Sequence, residues 1–293
     1  MSTASQSQSA STNQVATNGS LNSTSIAFIG GGNMASALIA GLLAKGQPAT
    51  LIHVVDADSE KLAQFAEQHI HTYEPNHTSQ AIASSDVVVL AVKPQVMQDV
   101  LQPLKGSWGE QVVISIAAGL GTDSLSGWLG EKVKLVRAMP NTPAMIQMGA
   151  TGLFATAGVT DMQKQLAEQV MKAAGLVLWV DDEDLLHAVT AVSGSAPAYF
   201  FYLLENMIEA GVQFGLTQQQ ATALAMQTAL GSAQMALTSH DTPAELRRKV
   251  TSPNGTTQAA IEVMDAKQMN QTIIDAMQAC VERSRELSQV LAK

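Results

Sequence analysis

Apolar residues along this chain keep two different rhythms. From residue 25 to about 180 they gather in short runs rich in Val, Ile and Leu: Ser25–Ile29, Leu51–Val55, Val87–Val92, Val112–Ile116, Gly149–Ala155 and Leu176–Val180. Continuous runs of this kind, closed off by Gly, Asp or Lys, predict strands covered on both faces, as in a parallel sheet. Helical stretches fall between them, including one over Asp161–Ala174. Strand and helix in alternation predict a doubly wound α/β unit with a mostly parallel sheet. Beyond residue 184 the β signals vanish, and Ala, Leu, Met, Gln and Glu dominate. A break at Ser193–Pro197 opens a long helix to about Gly215. Further helices are expected over roughly Gln218–Ser239, Thr242–Val250, Thr256–Asp265 and Asn270–Ala292.

The first strand runs directly into Gly30-Gly31-Gly32-Asn33-Met34-Ala35 and then an Ala/Leu helix. This is the G-x-G-x-x-A turn of a Rossmann dinucleotide fold. Gly30 permits the tight turn, Gly32 lets backbone approach a pyrophosphate, and Ala35 lets helix pack closely on strand. The helix start then offers free N–H groups to phosphate. Residues 25–184 are therefore expected to form a dinucleotide-binding Rossmann domain, and residues 185–293 an all-helical second domain. Asp56 closes the second strand, where an acid accepts hydrogen bonds from the adenosine ribose hydroxyls and repels a 2′-phosphate, which favours NAD. A plain helix cap is the alternative reading of Asp56. Ala91-Val92-Lys93-Pro94, Ser115–Gly119 and Arg137–Pro143 fall at strand ends, where ligands collect in such sheets. The small residues Ala117, Ala118 and Gly119 leave room there for a flat ring.

Composition narrows the chemistry. With 25 acidic against 16 basic residues the net charge is −9, which argues against a nucleic-acid binder. One cysteine, Cys280, excludes a disulfide framework and a Cys-cluster metal site. No apolar run is long enough to cross a membrane as a helix. Residues 1–24 carry no charge and little that is apolar, so they are expected to be a disordered tail; they lack the features of a secretory signal, which leaves the cytoplasm. Only 14% of residues are charged, and none of those between Lys172 and Arg247 is Lys or Arg. Helices so poor in charge are expected to pack against another chain.

An anion bound in that half must be held without side-chain cations. Ser252-Pro253-Asn254-Gly255-Thr256-Thr257, just before a helix, offers hydroxyls, a turn and free N–H groups for a carboxylate. An ordinary Ser/Thr cap is the simpler reading. The acids Asp181–Asp184 read as helix-start charges responding to the macrodipole rather than as a metal site. His69, His71 and His77 read as solvated, so no metal is expected.

In order along the chain, the segments Phe28–Met34, Ala91–Pro94, Ser115–Gly119, Arg137–Pro143, Val192–Tyr199 and Ser252–Thr257 resemble those of the pyrroline-5-carboxylate reductase family, over essentially residues 25–290. The resemblance implies reduction of the cyclic imine 1-pyrroline-5-carboxylate to L-proline with NADPH or NADH. It implies a homodimer interlocked through the helical domain, often further assembled. It places the cofactor on the turn Gly30, Gly31, Gly32, Asn33, Met34 and Ala35, with Ala91, Val92, Lys93, Pro94, Ala117 and Ala118. It assigns the substrate carboxylate to Ser252, Thr256 and Thr257, with Glu183 contributing from the start of the helical domain. Two departures stand out: Asn254 replaces a commoner Gly, and Asp56 stands where many NADPH-using members have a small polar residue. The helical half offers no convincing His or Lys base, so the imine arrives protonated or takes its proton through Thr257 or water. A β-hydroxyacid dehydrogenase shares the domain order but needs a Lys on the long helix, absent from Ser195 to Gly215. A non-catalytic dinucleotide-sensing dimer would have no need of the 252–257 loop.

Overall fold

The structure, a computed structural model, describes residues 23–291 apart from Glu131. The expected disordered tail lies outside the described residues except for its last two. Of those, Thr24 is buried, and its carbonyl accepts a hydrogen bond from Gln47 Nε2 at 2.8 Å. The fold therefore starts slightly earlier than the apolar pattern indicates.

Eight strands form one sheet: β1 (Ile26–Ile29), β2 (Ile52–Val55), β3 (His71–Tyr73), β4 (Val87–Leu90), β5 (Val112–Ser115), β6 (Lys134–Met139), β7 (Gly149–Ala155) and β8 (Gly175–Trp179). Their order is β3-β2-β1-β4-β5-β6-β7-β8, and only the β6–β7 pair is antiparallel. β1, β2, β4 and β5 are buried along their whole length, which is why their sequences are continuous apolar runs rather than alternating ones. The register pairs Ile29 with both Val55 and Leu90, and Leu90 with Ser115. The strands thus end level, and the loops that follow open on one edge of the sheet.

Helices α1 (Asn33–Ala44), α2 (Ser59–Ala66), α3 (Thr78–Ala83), α4 (Pro94–Leu101), α5 (Thr122–Leu129) and α6 (Asp161–Lys172) connect the strands. Two apolar layers result. Phe28, Val54, Val89 and Ile114 meet Leu38, Leu42 and Met171 in one; Ile29, Val88, Leu90 and Val113 meet Met97, Leu101 and Leu125 in the other.

One strand goes unannounced by the apolar pattern, and one residue is placed differently than expected. His69, His71 and His77 are exposed, as expected, but the polar stretch that holds them contains β3, an edge strand. Its His-Thr-Tyr sequence has no apolar run to announce it, and His71 stacks on His53 with ring centroids 5.1 Å apart. Burial, and to a lesser degree His71, holds the His53 pKa below its ordinary value. Arg137, expected in a loop, lies inside β6 and is buried.

The second half is helical throughout: α7 (Leu185–Val189), a π turn over Thr190–Gly194, α8 (Ala196–Gln213), α9 (Gln218–Thr238), α10 (Pro243–Lys249), α11 (Thr256–Ala266) and α12 (Met269–Leu291). α10, α11 and α12 bury no residue at all, and α8 buries only Ala196. Phe201 (65% exposed), Tyr202 (69%), Leu230 (57%) and Leu237 (77%) project from α8 and α9. A groove of about 700 Å³ lined by Phe201, Leu204, Ile208 and Met226 belongs to this same uncovered surface. Helices with so much apolar surface and so little core depend on a partner to cover them. Among the described residues no helix is long and apolar enough to cross a membrane.

Candidate active site

The glycine turn sits where the level strand ends open. The Gly30 N–H donates to the Val55 carbonyl at 2.8 Å, fastening the turn across to β2. Gly30 has φ 102°, and a Cβ there would lie 2.8 Å from Ala91 C and O and from Val92 N. No side chain fits, so the 30–35 and 91–94 loops touch backbone to backbone. Gly32 is the opposite case: a Cβ there would meet nothing within 4 Å. The space in front of it is open, and α1 begins at Gly32 with no side-chain cap, so its first N–H groups face that space unclaimed. An uncapped helix start behind a glycine with free space fits a dinucleotide pyrophosphate. Ala35 is fully buried against the sheet, Met34 packs on the same apolar layer, and Asn33 is exposed.

Asp56 is not a helix cap; Asp58 caps α2, accepting from the Glu60 and Lys61 N–H groups. Asp56 instead accepts the Gly31 N–H on Oδ2 at 2.7 Å and the Asp58 N–H on Oδ1 at 2.9 Å. Lys93 is the exposed N-cap of α4, followed by Pro94 in its first turn. Ala117 is buried and Ala118 exposed, in the loop that leaves β5.

Glu183 reaches the same edge and is fully engaged. Its Oε1 accepts from the Thr122 N–H at 2.7 Å and from Arg137 Nη1 at 2.5 Å, and its Oε2 accepts from Thr122 Oγ1 at 2.5 Å. Thr122 is the first residue of α5, so Glu183 caps that helix from 61 residues away. Burial pushes its carboxyl up, but the hydrogen bonds from Thr122 and Arg137 outweigh this and leave it below the ordinary range. Asp184 pairs with Arg285 Nη2 at 2.5 Å, and His187 Nδ1 meets Ser284 Oγ at 2.8 Å. The two acids therefore answer arginines from distant elements, not the dipole of the short α7. Asn141 likewise ties the loop after β6 to the π turn, donating to the Ser193 carbonyl at 3.1 Å and accepting from the Ala150 N–H at 2.8 Å. Thr122 and Arg285 were not anticipated, and Asn141 was read only as part of the Arg137–Pro143 segment. Arg137 was the available signal, since a cation flanked by Val136 and Ala138 in the interior of β6 needs a buried partner.

Ser252, Thr256 and Thr257 share no hydrogen bond with these groups. Their loop's hydrogen bonds are local: the Gly255 N–H donates to the Ser252 carbonyl at 3.1 Å, and the Asn254 N–H to Gln258 Oε1 at 2.8 Å. Asn254 has φ 58°, the left-handed conformation that Asn tolerates better than most side chains, so its replacement of Gly costs the turn little. A Cβ on Gly255 would collide with Ser252 Oγ, which places that hydroxyl over the start of α11. α11 itself has no side-chain cap, unlike α6, α9 and α10, which begin with complete capping boxes at Thr160, Thr217 and Thr242. The simple-cap reading of the loop therefore does not hold. Hydroxyls and unclaimed N–H groups converge, as an anion site requires. Among the described residues no group of three or more His, Cys, Asp or Glu is placed to hold a metal ion.

Fold and sites together define a Rossmann-type, dinucleotide-dependent oxidoreductase with a helical oligomerisation half. Residues 183–287 match the family model described as pyrroline-5-carboxylate reductase dimerisation, and residues 25–119 match NADP oxidoreductase coenzyme F420-dependent. Pyrroline-5-carboxylate reductase of Pseudomonas aeruginosa is 50% identical over 92% of this chain and 98% of its own length. The structure of a pyrroline-5-carboxylate reductase from Coxiella burnetii superposes with a TM-score of 0.87 at 44% identity, covering 91% of this chain and 99% of that one. Pyrroline carboxylate reductase of Plasmodium falciparum, solved with NADP bound, gives 0.80 at 25% identity, covering 91% and 99%. The chain belongs to the pyrroline-5-carboxylate reductase family. It is an NAD(P)H-dependent oxidoreductase acting on a C=N bond, the reduction that yields L-proline, and its dimerisation-type helical half makes it a homo-oligomer.

Proposed function

We propose that reduction of 1-pyrroline-5-carboxylate takes place at a site built by two chains. One supplies the cofactor cleft, and the partner supplies the 252–257 loop through interlocked helices. The observation that carries this reading is the uncapped, exposed start of α11, whose hydrogen bonds stay within its own loop and reach none of the cleft residues. The almost coreless helices α8 to α12 supply the surface through which two chains interlock, as a dimer or a further-assembled oligomer.

Each group then has a physical task. Gly30, Gly31, Gly32 and the first N–H groups of α1 hold the pyrophosphate, with Asn33, Met34 and Ala35 forming the turn into the helix. Asp56 takes the ribose hydroxyls, while Ala91, Val92, Lys93, Pro94, Ala117 and Ala118 border the nicotinamide end. When bound, the nicotinamide supplies the hydride that the imine carbon accepts. Ser252, Thr256, Thr257 and the N–H groups of α11 hold the substrate carboxylate without a cation. The Thr257 hydroxyl holds or relays the proton at the imine nitrogen, whose positive charge makes the adjacent carbon electrophilic. Glu183, with both oxygens engaged, shapes the site by fixing the start of α5 and the loop that leaves β5.

The small anionic substrate fits a chain whose acidic balance suits neither nucleic acid nor a membrane surface, and the cytoplasm is the proposed location. Oxidation of NAD(P)H dependent on pyrroline-5-carboxylate, followed by absorbance, tests the reading. Substrate-dependent turnover supports it, and none with either cofactor contradicts it.

A further inference from the structure

The second strand ends in a carboxylate held from two sides. Asp56 Oδ2 accepts the Gly31 N–H at 2.7 Å and Oδ1 accepts the Asp58 N–H at 2.9 Å. The side chain is thereby locked across the mouth of the glycine turn, beside the place where a dinucleotide's phosphates approach. Each carboxylate oxygen keeps a further acceptor position free, so two hydroxyls can still be received. The fit behind it is close: a Cβ on Gly31 would come within 2.9 Å of the Phe65 ring and 3.3 Å of Asp56 Oδ2. Gly31 thus packs directly between the Phe65 ring and the Asp56 carboxylate.

The surroundings add no compensating charge. From Ile52 to Gln80 the sequence holds four acids besides Asp56, namely Asp58, Glu60, Glu67 and Glu74, against Lys61 as the one Lys or Arg.

 Lys61 pairs with Asp58, 3.6 Å away. Lys93, the N-cap of α4, follows β4, which is separated from β2 by β1. A 2′-phosphate placed at the end of β2 would meet a fixed carboxylate with no cation but the Asp58-paired Lys61 between Ile52 and Gln80, whereas a 2′-hydroxyl would meet a ready acceptor.

We propose that Asp56 makes this enzyme select NADH over NADPH. The inference rests on the glycine turn being the dinucleotide site, and its test is one of binding, independent of the imine substrate. Isothermal titration of the full-length protein with NADH and with NADPH is expected to show NADH bound at least about tenfold more tightly. Adenosine 5′-monophosphate and adenosine 2′,5′-bisphosphate, used as competitors, should follow the same order. Asp56→Ser should narrow or reverse the ratio, chiefly by strengthening NADPH. Asp56→Asn keeps the size and one accepting oxygen, so it reads the charge alone should the serine variant fold poorly. NADPH bound as tightly as NADH by the wild type, or a ratio unmoved in both variants, overturns the role of Asp56 while leaving the dinucleotide site intact. Binding of neither dinucleotide overturns both.

Discussion

Arg137 Nη1 lies 2.5 Å from Glu183 Oε1, joining the middle of β6 to the first residues of the helical half. Arg137 is buried and Glu183 is about a quarter exposed, so the pair is held mostly away from water. Removing one partner leaves the other charge with its desolvation cost and no counterion. Glu183→Gln is expected to destabilise the protein by about 1–3 kcal/mol in denaturant unfolding. Arg137→Met combined with Glu183→Leu should be more stable than either single variant. A double variant as unstable as the sum of the singles would contradict this account.

The same pair predicts a pH effect. Glu183 is held below its unfolded value, so its contribution is complete above the ordinary carboxylate range and is lost as pH falls through that range to its folded pKa. The stability gap between wild type and Glu183→Gln should therefore shrink on acidification below about pH 4. A gap constant from neutrality into that range would count against it.

Gly30 and Gly32 should fail in different ways. At Gly30 both the positive φ and the backbone of Ala91 and Val92 oppose a Cβ, so Gly30→Ala should cost about 2–4 kcal/mol of stability. At Gly32 a Cβ meets no protein atom, so Gly32→Ala should leave stability within about 0.5 kcal/mol. Its methyl fills the space before α1, and NAD(P)H binding should weaken by about tenfold or more. Thermal unfolding with and without cofactor separates the two effects. Equal melting temperatures for the two variants would refute the distinction.

Phe201 and Leu230 stand on helices that lack a core of their own. Phe201→Asp together with Leu230→Asp should shift the protein toward monomer and lower its helicity, read by light scattering and circular dichroism. An unchanged oligomer would mean that these faces are not the contact.

Thr257→Ala should lower kcat by about ten- to a hundredfold with cofactor affinity unchanged, and Thr257→Ser should restore most of it. Wild-type turnover in the alanine variant would remove Thr257 from the proton path.

The Rossmann half was legible because buried parallel strands are written as uninterrupted Val/Ile runs, and because Gly30 and Gly32 answer local constraints. β3 was not legible, since an edge strand reading His-Thr-Tyr has no buried face to declare. Nor was the role of Glu183, because its partners Thr122 and Arg137 lie 61 and 46 residues away and no local rule links them. The 252–257 loop was recognisable by composition, but only the absence of a side-chain cap on α11 separates an anion site from a helix cap.

Subunit complementation tests the shared site most directly. Gly32→Ala impairs the cofactor cleft, and Thr256→Ala with Thr257→Ala impairs the substrate loop. If each site joins one chain's cleft to its partner's loop, a mixed dimer carries one site with both parts intact. Coexpressed in equal amounts and assayed at a cofactor concentration that leaves Gly32→Ala nearly silent, the two impaired variants should then recover about a quarter of wild-type turnover. A mixture no more active than its separate components, in samples shown to contain mixed dimers, would contradict the account.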